Sequence, residues 1–126
     1  MTTPDQQLEA AIVAAGATKA PRITPADIDA NIDGEYYFTA NQGVQAAMAD
    51  QDELTRLTGM HSSLHLLTFC VLHLKNGFTV TGESACASPE NFNAEIGRRI
   101  ARENAVAKVW PLMGYALRDK LAEAAS

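Results

Sequence analysis

The chain has 126 residues, 47% of them hydrophobic, with a net charge of −5 at pH 7; this is enough apolar material for one core and the usual length of a single domain. Residues 1–60 carry nine acids against three bases, and residues 61–126 carry six acids against seven bases. The second half can therefore hold an anion locally, but the chain lacks the broad basic face of a duplex-DNA binder.

Two cysteines, Cys70 and Cys86, make neither a disulfide scaffold nor a zinc site. The opening MTTPDQQLEAA lacks the basic and apolar regions of a signal peptide. No apolar run approaches the roughly 18–20 residues that span a bilayer. The expectation is a soluble protein of a reducing cytoplasm.

In chain order, residues 1–20 are expected to be a mobile N-terminal segment ahead of one domain, 21–126. Its only helical stretch is a weak one over Gln6–Ala15, ended by Gly16 and Ala20-Pro21. Thr24-Pro25-Ala26-Asp27 is a helix start, with a capping hydroxyl, a proline in the first position and an acid in the first turn. That helix is expected to carry Ile28 and Ile32 on one face and to stop at Gly34, before the aromatic cluster Tyr36-Tyr37-Phe38. A helix over Gly43–Leu57 is broken in its middle by Asp50, Gln51, Asp52 and Glu53, and Gly59 with Ser62-Ser63 marks a loop.

Leu64–Leu74 and Phe78–Ala87 read as the two strands of a hairpin. A two-residue Asn76-Gly77 loop would put Leu72 and Leu74 on one face with Thr79 and Thr81. A three-residue Lys75-Asn76-Gly77 loop, with Gly77 left-handed, pairs Leu74 with Phe78 and Leu72 with Val80 and sorts the faces better. That register sets Cys70 opposite Gly82 and Cys86 opposite Leu66, about 13 Å apart and too far for a disulfide. Ser88-Pro89-Glu90-Asn91 predicts a second helix start. The helix is expected to run to Val109 with Phe92, Ile96, Ile100, Val106 and Val109 or Trp110 buried, to break or kink at Pro111, and to resume over Leu112–Ala124 with Leu117 and Leu121 inward. The fold class is α+β: a long antiparallel hairpin on C-terminal helices, with a helical N-terminal region.

Arg98, Arg99 and Arg102 are the residues that suggest chemistry. Arg99 has Glu95 and Glu103 four residues away on either side, a ladder that accounts for it structurally. Arg98 has Glu95 three residues back. Arg102 has no acid three or four residues away and sits four from Arg98. Such a pair is either a solvated helix face or a clamp for phosphate, which the guanidinium fork suits. Phe92 and Trp110 are core aromatics or stacking surfaces for a base. Asn91 and Asn93 cap a helix or contact a ligand near its positive end. Glu83 and Ser84 are a solvated strand face or ribose contacts, and Lys75-Asn76-Gly77-Phe78 is turn chemistry. His61 and His65 would lie about 13 Å apart on a strand, so neither they nor His73 suggest a metal site. No catalytic pair and no cofactor motif is present.

The segments LTFCVLHLKNGFTVTGESACASPENFNAEIGRRIARENAVAKVWPLMGYALRDKL and ITPADIDANIDGEYYF resemble the small tailed-phage proteins of the gene-49/gene-66 family. The match is densest in LKNGFTVTGESAC, SPENFNAEIGRRIARENA and VWPLMGY, and covers most of Pro21–Leu121. The chain is also similar to the phage Thoeris anti-defence sponges, which sequester cyclic ADP-ribose-type signals of bacterial immunity; some relatives bind cyclic oligonucleotides too. The resemblance implies a non-catalytic protein of the infected host's cytoplasm that binds a cyclic nucleotide signal. It implies a homodimer or higher homo-oligomer with pockets at subunit interfaces and no membrane or duplex partner. It makes 43–63 an insertion relative to the shortest sponges. It places Arg98, Arg99 and Arg102 about the phosphates, Phe92 or Trp110 against a base, and Asn91 or Asn93 on polar edges. The rival expectations are a structural or host-protein interaction module and, last, a hydrolase or lyase of the same signal.

Overall fold

The computed structural model describes residues 2–126. Its elements in order are α1 (Pro4–Ala14), α2 (Pro25–Asn31), β1 (Ile32–Thr39), α3 (Ala40–Ala47), α4 (Glu53–Thr58), β2 (Leu67–Leu74), β3 (Thr79–Ala85) and α5 (Ala94–Ala125). One-turn 3-10 segments, Ser62–Leu66 and Pro89–Asn91, precede β2 and α5. The three strands form one antiparallel sheet in the order β1-β2-β3, and α5 lies across one of its faces. The architecture is α+β.

The hairpin has the three-residue register. Leu72 stands opposite Val80 and Cys70 opposite Gly82. The Leu74 amide donates to the Phe78 carbonyl at 2.8 Å, the Cys86 amide donates to the Leu66 carbonyl at 3.0 Å, and Gly77 has φ of 92°. Leu72, Leu74 and Val80 are buried, whereas Phe78 at the loop edge is exposed. The first strand begins later than its apolar run, because Ser62–Leu66 coils into the 3-10 turn.

Several expectations are corrected. The helix from Pro25 ends at Asn31, and Ile32 opens a strand. This third strand was hidden by a bulge: the pairing shifts between Ile32 and Gly34, leaving Asp33 extra. A bulge reverses which parity faces inward. Ile32 and then Glu35 and Tyr37 take the α5 side, while Tyr36 and Phe38 face out.

Second, Pro89–Asn91 is not the first turn of the long helix. Ser88 bonds Glu90 and caps nothing; the cap is Asn93, whose side-chain oxygen accepts from the Ile96 amide at 3.0 Å. Third, α5 runs through Pro111 unbroken for 32 residues. Pro111 removes one hydrogen bond to the preceding turn, yet it is exposed and the helix on both sides has packing of its own. Pro111→Ala is expected to raise stability by about 2 kcal/mol, allowing for the chain freedom alanine restores on unfolding. A melting temperature no higher than that of the parent would show that the helix has already absorbed the defect.

The stripe that α5 buries is Gly97, Ala101, Ala105 and Val109, with Val106 beside it. Ile96 and Ile100, expected inside, are 56% and 41% exposed. Small residues win because the helix rides directly on β3. A Cβ built at Gly82 would meet Ala101 O and Ala105 N and lie 2.9 Å from Ala105 Cα. Bulky side chains on that line would hold the two backbones apart. Residues 40–66 form the excursion between the neighbouring strands β1 and β2; 43–63 lies inside it and takes in the end of α3 and all of α4.

Candidate functional site

α5 carries Arg102, Val106 and Trp110 along one wall of a cleft of about 460 Å³, within the range of small-molecule sites. Pro25, Ile28 and Asp29 of α2 form another wall, and Thr3, Pro4, Asp5 and Gln6 at the start of α1 form a third. Eight helical residues separate Arg102 from Trp110, about 12 Å along the axis. The cleft is therefore polarised, with a guanidinium at one end, aliphatic carbon in the middle and an indole at the other.

Each end is held by contacts across the fold. Arg102 donates to Glu35 of β1 through Nε and lies 3.4 Å from Asp29 of α2. Partial burial opposes its charge, but the two carboxylates outweigh it and hold the guanidinium more firmly protonated than usual. Arg102's lack of an acid three or four residues away on its own helix was the one signal in the sequence that its partner lay elsewhere. Trp110 Nε1 donates to Asp5 Oδ2 at 3.0 Å. None of Asp5, Asp29 and Glu35 was singled out from the sequence, because each is brought to α5 only by tertiary contact.

The remaining sequence candidates lie elsewhere. Arg98 is exposed one turn before Arg102 and makes no ion pair among the described residues. Arg99 pairs with Glu103 at 3.5 Å, as the ladder expected. Asn91, Phe92 and Asn93 line a separate small cleft of about 220 Å³ with Ser84, Cys86, Ile96 and Ile100. Asn93 is committed to capping α5. The structure thus brings Arg102 and Trp110 together and sets Asn91, Phe92 and Asn93 apart from them.

The thiols and imidazoles offer little chemistry. Cys70 is fully buried, and burial pushes its thiol up, with Glu35 adding to the effect; a protonated, inaccessible thiol is a poor nucleophile. Its neighbour Tyr37 is pushed up to about 12 by burial, Cys70 and Glu35. His73 Nδ1 lies 2.6 Å from Asp33 Oδ1 in an exposed pair. Among the described residues no group of three potential metal ligands converges.

α1 reaches the cleft on polar tethers. Besides Asp5, Glu9 holds Arg22 through two bonds of 2.5 and 2.6 Å. The Arg22 hydrogen bond keeps the Glu9 carboxyl below the usual carboxylate range. A carboxylate depressed in the folded state adds stability above its unfolded pKa, near 4.3, and loses it as pH falls through the folded value. This tether of α1 is thus intact at neutral pH and weakens in acid. Amide exchange over 7–14, corrected for intrinsic rates, should lose protection below about pH 4. Equal protection at pH 7 and pH 3 would show that this bridge does not hold α1.

No helix among the described residues is long and apolar enough to cross a membrane. Residues 23–121 match the model of the phage protein (N4 Gp49/phage Sf6 gene 66) family. No curated protein and no solved structure matches the chain.

Proposed function

Because the chain belongs to this phage protein family, we propose that it acts against host immunity by binding and sequestering a cyclic nucleotide signal of the cyclic ADP-ribose type, or a cyclic oligonucleotide, without cleaving it. The observation that carries this reading is the polarised cleft: Arg102 at one end, Trp110 at the other, and a volume of about 460 Å³ between them. Arg102 takes a phosphate, and Arg98 one turn away, with no ion pair among the described residues, supplies a second cation. Trp110 offers an indole edge and face to a base. Sequestration needs tight binding and slow release, not a proton shuttle or nucleophile, and it works in the host cytoplasm on a diffusible signal. A homo-oligomer would complete the wall that the protomer leaves open.

Arg102 is already occupied by Asp29 on the cleft wall and by Glu35, so a bound anion must exchange with these carboxylates.

The test is calorimetric titration with a panel of cyclic ADP-ribose isomers and cyclic di- and trinucleotides, followed by chromatography of ligand released by heat. Tight binding with intact release is expected. Release of altered ligand would make the protein a hydrolase or lyase, and no binding across the panel would overturn the reading.

A second reading, an interaction module for a host protein, draws on the outer face of the sheet. Tyr36 is 61% exposed there and Phe38 stacks on Phe69 at 5.5 Å. Under it, Tyr36→Ser abolishes function while Arg98→Ala and Arg102→Ala leave it intact. Tyr37 is no probe of that surface, because it packs inward against the core.

A further inference from the structure

We propose that α1 is a strap across the cleft, and that its Asp5 makes the Trp110 end accept a neutral group bearing hydrogen-bond donors rather than a second phosphate. The strap rests on geometry alone, and the selectivity rests on the nucleotide reading given above.

α1 lies outside residues 23–121, the part shared with the family, yet its first turn walls the cleft. Its attachment suits a strap. The helix buries no residue completely, and its half-buried positions Asp5, Glu9 and Ile12 repeat at the spacing of one helix face. Two of those three are the tethers, Asp5 to Trp110 and Glu9 to Arg22. Exposed Leu8 and Val13 point away. A helix held by polar contacts at its edge, with no buried anchor, belongs to the low-stability end of a fold that opens locally.

Asp5 then sets the chemistry at its end. Oδ2 takes the indole N–H, and Oδ1 makes no hydrogen bond among the described residues. The positive start of α1 is already satisfied by Asp5 itself and by the Thr3–Gln6 capping box, so little positive potential remains there for an anion. A free carboxylate oxygen accepts from a ribose hydroxyl or a base amine and repels phosphate. With Arg102 about 12 Å away, the cleft fits a ligand with its negative charge gathered at one end. Cyclic ADP-ribose isomers carry their phosphates as one pyrophosphate. Cyclic dinucleotides carry theirs on opposite sides of the ring.

Trp110 is the single tryptophan, so its emission reports the strap directly. In the full chain carrying Asp5→Ala and Glu9→Ala, the emission should shift to the red and the amides of 7–14 should exchange faster, without any ligand present. Unchanged emission and exchange overturn the strap. For selectivity, Asp5→Asn keeps the shape and removes the charge. The expected result is about a tenfold shift in relative affinity toward cyclic di-AMP over a cyclic ADP-ribose isomer, from relief of like-charge repulsion. An unchanged ratio overturns the role of Asp5. Binding of neither probe by the unaltered chain overturns the nucleotide reading and the selectivity with it, while emission and exchange still decide the strap.

Discussion

Gly82→Ala should cost about 3 kcal/mol, the upper part of the range for overpacked cores, and lower the melting temperature by about 10 °C. The new Cβ would collide with Ala101 O, Ala105 N and Ala105 Cα. These are backbone atoms of α5, so no side chain can rotate away; the helix must lift from β3. Lifting it opens the layer that buries Cys70, Leu72, Ala101, Ala105 and Val109, all of them fully buried. Thermal or urea unfolding of the purified variant reads the effect. Gly114→Ala is the internal control, since a Cβ there meets nothing within 4 Å; it should be neutral or slightly stabilising through helix propensity. A Gly82→Ala protein as stable as the parent would mean that α5 does not lie directly on β3.

Arg102→Ala should weaken binding of a cyclic ADP-ribose-type ligand by roughly 100-fold, the scale of losing a charge-assisted, fork-shaped contact with phosphate. Its counterpart is Glu35→Gln. Glu35 occupies Arg102 Nε in the ligand-free protein, and Asp29 stands at 3.4 Å. A phosphate must displace or share them, so removing one competing charge should tighten binding several-fold. Arg102→Lys keeps the charge but not the fork, and should fall between parent and alanine. Arg102 and Glu35 are each more than a third exposed, so solvent screens the pair and its part in folding stability is small. Titration of the four proteins with one ligand decides. Equal affinity in Arg102→Ala and parent would remove Arg102 from the site. Weaker binding in Glu35→Gln would instead make Glu35 a positioning residue for the guanidinium.

Legibility in the sequence followed the range of the interactions. The turn Lys75-Asn76-Gly77 and the pairing of Leu72 with Val80 were readable, because local turn geometry and face sorting agree on one register. Thr24 as a helix cap was readable for the same reason. β1 was not: the Asp33 bulge breaks its alternation, and Tyr36, Tyr37 and Phe38 place aromatics on both faces. The face of α5 was misread because Ile96 and Ile100 are the more hydrophobic residues, whereas close approach to Gly82 demands Ala101 and Ala105, and Gly97 sits against Thr68. Of the candidate site, Arg102 and Trp110 were singled out from α5 itself, but the first turn of α1 that faces them was not.

The sequence by itself determined the α+β class, the hairpin register, the start of α2 and the ion pair of Arg99 with Glu103, all set by neighbours within a few residues. It also carried the family, through long matched segments. Only the tertiary structure decided which side of α5 is buried, that a third strand joins the sheet, and that Asp5, Asp29 and Glu35 meet Trp110 and Arg102. Those outcomes depend on how closely two backbones approach and on which distant charges are then brought together, and neither is encoded in any local pattern of residues.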